Sequence, residues 1–224
     1  MWHALADFGA QLPRDVRVVV VRGNGPSFSA GLDRSMFGTL GNGLTGDESD
    51  ALETIAGYQA GFSWLRNAEF VSVAAVQGHA IGAGFQLALA CDLRIATTDA
   101  LFTMAEPSLG LVPDLGGTKA LVETVGYSRA LEICATGRRV AADEALGIGL
   151  VNLVVPNDQL DAAVDDLIAG LTSTVRDAVT MTKALLLGAH DRTHQQQLLA
   201  ERQAQLSRIK SLGSSSAHGS DSQL

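Results

Sequence analysis

The stretch VSVAAVQGHAIGAGFQLALACDLRIAT, residues 71–97, combines a strand, a glycine-rich turn, a helix and a second strand. Val71–Val76 is an almost continuous apolar run, which is typical of a buried strand. Glycines open the next apolar segment, which predicts a helix over residues 82–91, and Leu93–Thr97 predicts another strand. This order of elements indicates an α/β fold.

Predicted helices and strands alternate before this stretch, whereas helices predominate after it. Before it, we predict a helix, a strand buried on both faces, a glycine-rich loop and a helix, at residues 2–12, 16–21, 38–50 and 51–66. After it, we predict three helices, a short strand and an almost continuous helical part, at residues 115–125, 128–135, 141–146, 151–155 and 158–210. We therefore expect an α/β core over residues 1–140, a helical region over 141–210 and a disordered Ser/Gly-rich tail over 211–224.

Composition excludes several classes of partner. The chain has a net charge of −8 and no basic stripe, which argues against binding to nucleic acid or to an anionic membrane. Its longest apolar stretch, residues 80–91, is too short to span a bilayer, and no cationic leader opens the chain, so we expect a cytoplasmic protein. Cys91 and Cys134 are expected to be reduced core cysteines, since neither has the Cys/His spacing of a zinc site.

A second glycine-rich stretch, RVVVVRGNGPSFSAGLD at residues 17–33, invites comparison with nucleotide-binding loops. A dinucleotide site needs a third glycine where this sequence has Phe28, and a P-loop needs a lysine that is absent. A nucleophile elbow, G-x-S-x-G, fails because Gly25-Pro26-Ser27-Phe28 is followed by Ser29 where the last glycine is required. The stretch therefore predicts neither a phosphate cradle nor a serine nucleophile.

Backbone N–H groups give these glycines another use. Gly82 and Gly84 lie where a helix begins, and the first N–H groups of a helix have no partner within it. Two strand-to-turn elements could aim one N–H each at a single oxygen and form an oxyanion hole. The alternative is that the glycines only allow tight packing of two turns.

Three ordered motifs carry a family resemblance: SFSAGLD, AVQGHAIGAGFQLALACDLRIA and FTMAEPSLGLVPDLGGT, at residues 27–33, 75–96 and 102–118. They resemble the crotonase superfamily, the enoyl-CoA hydratase/isomerase family, and the resemblance covers residues 2–210. It implies a spiral of ββα units with a C-terminal helical trimerisation region, and a homotrimer or hexamer. It also implies an acyl-CoA thioester as ligand, with coenzyme A as part of the substrate and no further cofactor or metal.

The resemblance assigns roles position by position. The N–H groups of Leu32 and Ala83 would hold the thioester oxygen. The edge that contacts coenzyme A would consist of Ser29, Ala30, Gly31, Asp33 and Arg34. Gly82, Gly84 and Gln86 would line the substrate, and a bulky side chain at Gly31 or Gly82 would block the thioester.

The expected acid/base groups differ from those of a typical hydratase. Hydratases of the family carry a glutamate where this chain has Gln86, which cannot take a proton. The second glutamate is present as Glu106, and Asp114 follows it. Dienoyl-CoA isomerases of the family have an acid pair at these two positions. The resemblance therefore favours double-bond isomerisation by Glu106 and Asp114. Hydration by Glu106 with Gln86 positioning water, and acyl-CoA binding without catalysis, remain alternatives.

Simpler interpretations of these carboxylates also stand at this point. Glu106 could be a loop-surface residue, and Asp114 could cap the helix that follows it. The family also has a β-hairpin before the first helix, and this chain begins at the helix. The N-terminal hairpin is thus expected to be missing, which would leave the strand at residues 16–21 as an unprotected sheet edge.

Overall fold

A computed structural model describes residues 1–33, 35 and 46–218, with side chains up to residue 213. Four strands form a parallel sheet in the order β1-β2-β4-β7: β1 (Val18–Arg22), β2 (Val71–Val76), β4 (Leu93–Thr97) and β7 (Leu153–Val155). A second sheet has the order β3-β5-β6, with β3 (His79–Ile81) parallel to β5 (Leu101–Thr103) and β5 antiparallel to β6 (Arg139–Ala141). The α/β class is therefore confirmed.

Helices account for much of the remaining described chain. They are α1 (Trp2–Ala10), α2 (Glu48–Ser63), α3 (Ala83–Ala90), α4 (Gly117–Val125), α5 (Tyr127–Thr136), α6 (Ala142–Gly147), α7 (Leu160–Ser173), α8 (Arg176–Leu187) and α9 (His194–His218). Short 3₁₀ turns lie at Trp64–Arg66, Glu106–Leu109, Asn157–Gln159 and Ala189–Asp191. Among the described residues no helix is both long and apolar enough to cross a membrane.

The two valine-rich strands differ in burial. Every residue of β2 is buried, as predicted, because β2 lies between β1 and β4. In β1 only Val19 is buried, so the prediction of a strand buried on both faces is wrong there. The reason is position, since β1 is at the end of the sheet order and pairs with β2 along one side.

Three strands of three residues each escaped prediction. β3, β5 and β6 are too short for a periodic pattern to emerge. They nevertheless position the site, because β3 ends directly before Gly82 and β5 ends shortly before Glu106. The Gly82 N–H donates to the Thr103 carbonyl at 2.8 Å, which joins the two strand ends.

Core residues pack around α3, in which six of the eight residues are buried. The Phe85 and Phe102 rings lie 5.4 Å apart, and both side chains are fully buried. At the other end of α3, the buried Arg94 guanidinium donates to the carbonyls of Ala88, Cys91 and Leu150. Arg94 thereby satisfies carbonyls at the helix C terminus that have no partner within the helix.

The chain divides into two compact units, residues 1–168 and 169–224. In the second unit, Arg208 of α9 forms an ion pair with Asp177 of α8 at 2.6 Å. α9 runs through His218, past residue 210, where the helical part was expected to end. The rest of the predicted disordered tail, residues 219–224, lies outside the described residues. The predicted roles of residues 1–140 and 141–210 stay predictions.

Candidate active site

Two glycine turns pack against each other at the start of α3. A Cβ atom on Gly31 would lie 2.6 Å from the Ile81 carbonyl oxygen and 3.9 Å from the Ala83 nitrogen. A Cβ atom on Gly84 would lie 2.5 Å from the Ser29 Cβ. These approaches are closer than a side chain tolerates, so glycine is required at both positions. The structure thus brings together the two segments that the sequence predicted to share one oxygen.

Backbone donors are available where these turns meet. α3 begins at Ala83, and its preceding residue, Gly82, has φ 52° and no capping side chain. Within the described part of the chain, the Leu32 and Ala83 N–H groups have no acceptor. Both residues are half-buried rather than sealed in the core. That these two N–H groups hold a thioester oxygen stays a prediction.

Ser29 shapes the first turn. Its N–H donates to the His79 carbonyl at 2.9 Å, and its carbonyl accepts from the Ile81 N–H at 3.0 Å, so it pairs with β3. Its hydroxyl accepts from the Gly31 N–H at 3.2 Å. Gly31 has φ 87°, a left-handed conformation that suits glycine. These bonds direct the chain from Ser29 towards Leu32.

Glu106 lies beside this pair of turns. It follows β5, begins a 3₁₀ turn and is only 9% exposed, so the loop-surface interpretation is wrong. A Cβ atom on Gly82 would lie 3.2 Å from Glu106 Oε1 and 3.5 Å from Oε2. Oε1 accepts a hydrogen bond from Gln86 Nε2 at 2.7 Å. Oε2 is buried and has no hydrogen-bond partner among the described residues.

Burial raises the pKa of Glu106 above its ordinary value. The nearby backbone N–H groups of Glu106 and Ala105, together with the hydrogen bond from Gln86, lower this pKa, whereas the negative charge of Asp114 raises it further. Desolvation is the largest of these effects, because a carboxylate loses hydration when it is buried. A carboxyl with a raised pKa is well suited to exchange protons near neutral pH.

Gln86 lies one turn into α3 and is 1% exposed. Its Nε2 donates to Glu106, while its Oε1 accepts from the backbone N–H groups of Leu115 and Gly117 at 2.9 and 3.2 Å. The side chain therefore links the candidate proton carrier to the start of α4.

Asp114 does not cap α4. The helix begins at Gly117, and its N-cap residue is Gly116 with φ 88°, so the capping interpretation is wrong. The Asp114 residue is exposed, yet partial burial of its carboxyl raises its pKa. Its backbone carbonyl accepts from Gln59 Nε2 of α2 at 2.7 Å. Asp114 therefore faces solvent at a point where its charge still acts on Glu106.

The outer edge of the site is less enclosed. Ala30 and Asp33 are exposed, and Asp33 Oδ1 accepts from both the N–H and the hydroxyl of Ser35, which lowers the Asp33 pKa. Arg34, the predicted cationic contact, lies outside the described residues. The role of this edge in binding coenzyme A stays a prediction.

Two neighbours of the site were not predicted as such. The Cys134 thiol of α5 is half-buried, and burial together with the Glu106 charge raises its pKa. Gln59 of α2 holds the Asp114 backbone. Both come from helices distant in sequence from the motifs, so no local signal identified them. Groups of three or more His, Cys, Asp or Glu side chains that could hold a metal ion are absent from the part of the chain that the structure describes.

Comparisons with known proteins find relatives of similar sequence and fold. A family model described as enoyl-CoA hydratase/isomerase matches residues 1–219. The peroxisomal Delta(3,5)-Delta(2,4)-dienoyl-CoA isomerase of Arabidopsis thaliana is 33% identical over 184 residues, which cover 79% of this chain and 66% of that protein. This chain thus spans about two thirds of the length of that curated relative.

Solved structures include the putative enoyl-CoA hydratase of Thermobifida fusca YX. Its complex with CoA is 49% identical, with a TM-score of 0.89, and the match covers 96% of this chain and 84% of that one. Its complex with acetoacetyl-CoA is 47% identical, with a TM-score of 0.88, and the match covers 94% and 85%.

Proposed function

The chain belongs to the enoyl-CoA hydratase/isomerase family, and on this premise we propose that it moves a carbon–carbon double bond in an unsaturated acyl-CoA thioester. Glu106 is the principal proton carrier in this proposal. The CoA and acetoacetyl-CoA complexes of the Thermobifida fusca protein support the ligand class. The Arabidopsis isomerase supports the reaction class.

One observation carries the proposal: the Glu106 carboxyl is buried beside Gly82, and its Oε2 has no hydrogen-bond partner among the described residues. A buried carboxylate oxygen with no donor is costly unless a bound group uses it. The raised pKa of Glu106 matches a group that takes and returns a proton.

The chemistry balances with protein groups alone. Glu106 takes the proton from the carbon next to the thioester, and the electron pair of that C–H bond forms an enolate. The Leu32 and Ala83 N–H groups stabilise the enolate oxygen, a contribution of about 3–4 kcal/mol per donor in comparable sites. The proton then returns to a carbon further along the chain, so the double bond moves and no atom is gained or lost.

Asp114 is assigned the second proton transfer. Its carboxyl has a raised pKa and it does not cap α4, which leaves it available for chemistry. Its negative charge acts on Glu106 and contributes to the raised pKa of that carboxyl. Two carriers suit a conjugated dienoyl thioester, in which the proton leaves and returns at widely separated carbons.

Turnover of defined substrates tests the proposal. Purified protein is mixed with 3-enoyl-CoA, 3,5-dienoyl-CoA or 2-enoyl-CoA, and the absorbance of the conjugated thioester is followed. We expect conjugation to appear with the first two, and Glu106→Gln to slow that step by about 10²–10⁴-fold. Glu53→Gln, at an exposed position on α2, is the matched control and should retain full activity. An active Glu106→Gln variant would refute the assignment.

Hydration is the second candidate, favoured by the similarity to the Thermobifida fusca protein. The Gln86 amide has two hydrogens and donates one to Glu106, so the other could orient a water. In the same assay a hydratase removes the conjugated absorbance of 2-enoyl-CoA. Binding of acyl-CoA without any absorbance change would instead indicate a non-catalytic binding protein.

A further inference from the structure

We infer that Gln86 is a positioning residue that holds Glu106 by Oε1 and leaves Oε2 as the oxygen that carries the proton. This inference rests on the proposed function, since it assigns the working atom of the proposed proton carrier. It predicts different roles for two oxygens that are chemically equivalent in a free carboxylate.

The orientation of the Gln86 amide is determined by its neighbours. Oε1 faces two backbone donors, the N–H groups of Leu115 and Gly117. A flipped amide would place its NH₂ group against those donors and leave Glu106 facing a carbonyl oxygen. Only one orientation satisfies all three partners, and in it Nε2 donates to Glu106.

Packing holds the same side chain in place. A Cβ atom on Gly117 would lie 2.7 Å from Gln86 Cγ and 3.0 Å from its Oε1, so α4 begins in direct contact with Gln86. A side chain that is held by both packing and hydrogen bonds can orient a neighbouring reactive group with little freedom. Gln86 is therefore a rigid support for Glu106.

The support makes the two carboxylate oxygens unequal. Oε1 already accepts a hydrogen bond from Gln86, which reduces its tendency to take a proton. Among the described residues Oε2 has no hydrogen-bond partner, and the carboxyl as a whole lies beside Gly82, since a Cβ atom there would be 3.2 Å from Oε1 and 3.5 Å from Oε2. The proton is thus directed to the oxygen that Gln86 leaves without a hydrogen bond.

Glutamine suits this role better than a glutamate or an apolar residue of similar size. A glutamate would place a second negative charge against Glu106, and an apolar residue would leave buried N–H groups of Leu115 and Gly117 without an acceptor. A neutral donor stabilises the ionised form of Glu106 without either cost. Its hydrogen bond lowers the Glu106 pKa, partly offsetting the increase caused by burial.

Two variants separate positioning from a purely structural role at the start of α4. Gln86→Glu keeps an acceptor for Leu115 and Gly117 but loses the neutral donor. We expect kcat to fall at least about 10-fold above neutral pH, with KM changed less than about threefold, because the substitution misaligns Glu106 and leaves the substrate contacts in place. As pH falls, the introduced carboxyl takes a proton and donates it towards Glu106, so activity recovers and a new alkaline limb appears in the pH profile. If Gln86 only supports the start of α4, the pH profile of kcat will be unchanged. That result would overturn the inference.

Gln86→Met gives a readout that does not depend on turnover. In carboxyl-labelled protein, the Glu106 resonance is assigned by its loss in Glu106→Gln, and its pKa should rise when the Gln86 donor is removed. Gln203→Met, at an exposed position on α9, is the matched control for this substitution, and Gln203→Glu is the control for the charge added by Gln86→Glu. An unchanged Glu106 pKa in a folded Gln86→Met variant would overturn the inference. A wild-type protein that turns over none of the substrates would overturn the proposed function, while the titration would still report on the bond between Gln86 and Glu106.

Discussion

Gly84→Ala is predicted to damage the candidate site through one added methyl group. The new Cβ would lie 2.5 Å from Ser29 Cβ, 2.7 Å from its hydroxyl oxygen and 2.9 Å from its carbonyl oxygen. Since ordinary contacts need about 3.5 Å or more, the turn that carries Leu32 must move by about 1 Å. The Leu32 and Ala83 N–H groups, the predicted oxyanion donors, would then be displaced relative to each other, while Glu106 and Gln86 keep their own contacts.

The expected size follows from these distances. A misplacement of about 1 Å in a reactive arrangement costs up to about 100-fold in rate. Stability should fall by about 1–3 kcal/mol from overpacking. In a chain of this size each kcal/mol lowers the melting temperature by about 2–4 °C. Steady-state kinetics with 3-enoyl-CoA and calorimetry measure the two effects, with kcat expected to change more than KM.

Gly170→Ala is the matched control. Gly170 lies within α7, and a Cβ atom there would meet no atom within 4 Å. The same substitution should therefore stabilise the protein by about 0.5–1 kcal/mol, the ordinary preference of a helix for alanine over glycine. If Gly84→Ala matched Gly170→Ala in both stability and kcat, the two turns would not be packed as described and the reasoning would fail.

Two further predictions concern the carboxyls. Asp114→Asn should slow isomerisation of 3,5-dienoyl-CoA more than that of 3-enoyl-CoA in stopped-flow assays. Asp165→Asn, at an exposed position, is the control. Equal effects on the two substrates would show that Asp114 does not carry out the second proton transfer. Because burial raises the folded-state pKa of Glu106, the stability it contributes is present below the unfolded pKa and is lost as pH rises through the raised value. Chemical denaturation across pH should therefore show that wild type loses free energy of unfolding relative to Glu106→Gln as pH rises from the unfolded to the folded pKa of Glu106. A difference in free energy of unfolding that does not change with pH would contradict the burial of Glu106.

The sequence predicted the central elements well because their patterns are long. The run at Val71–Val76 and the helix after Gly82 were both found where the structure has them. β1 was misjudged because valines do not distinguish a central strand from an edge strand. The three-residue strands had no detectable period, although they place Gly82 and Glu106.

The candidate site was predicted by residue type but not by contact. Glu106 and Gln86 were identified as separate candidates from the motifs. Their hydrogen bond depends on the positions of α3 and the 3₁₀ turn in space, which no local pattern encodes. Asp114 could be interpreted as a cap because it precedes a helix, whereas the left-handed backbone of Gly116 begins that helix instead.

The anchoring of α3 by Arg94 has a consequence for how activity is lost. α3 has only eight residues, too few to persist as an isolated helix. Its C-terminal carbonyls depend on Arg94, and its first turns carry both Ala83 and Gln86. One of the two predicted oxyanion donors, the Ala83 N–H, and the support of Glu106 therefore share one small element that exists only while the surrounding core is intact. Heat inactivation should coincide with cooperative unfolding of that core, without an earlier stage in which a folded protein has lost its site.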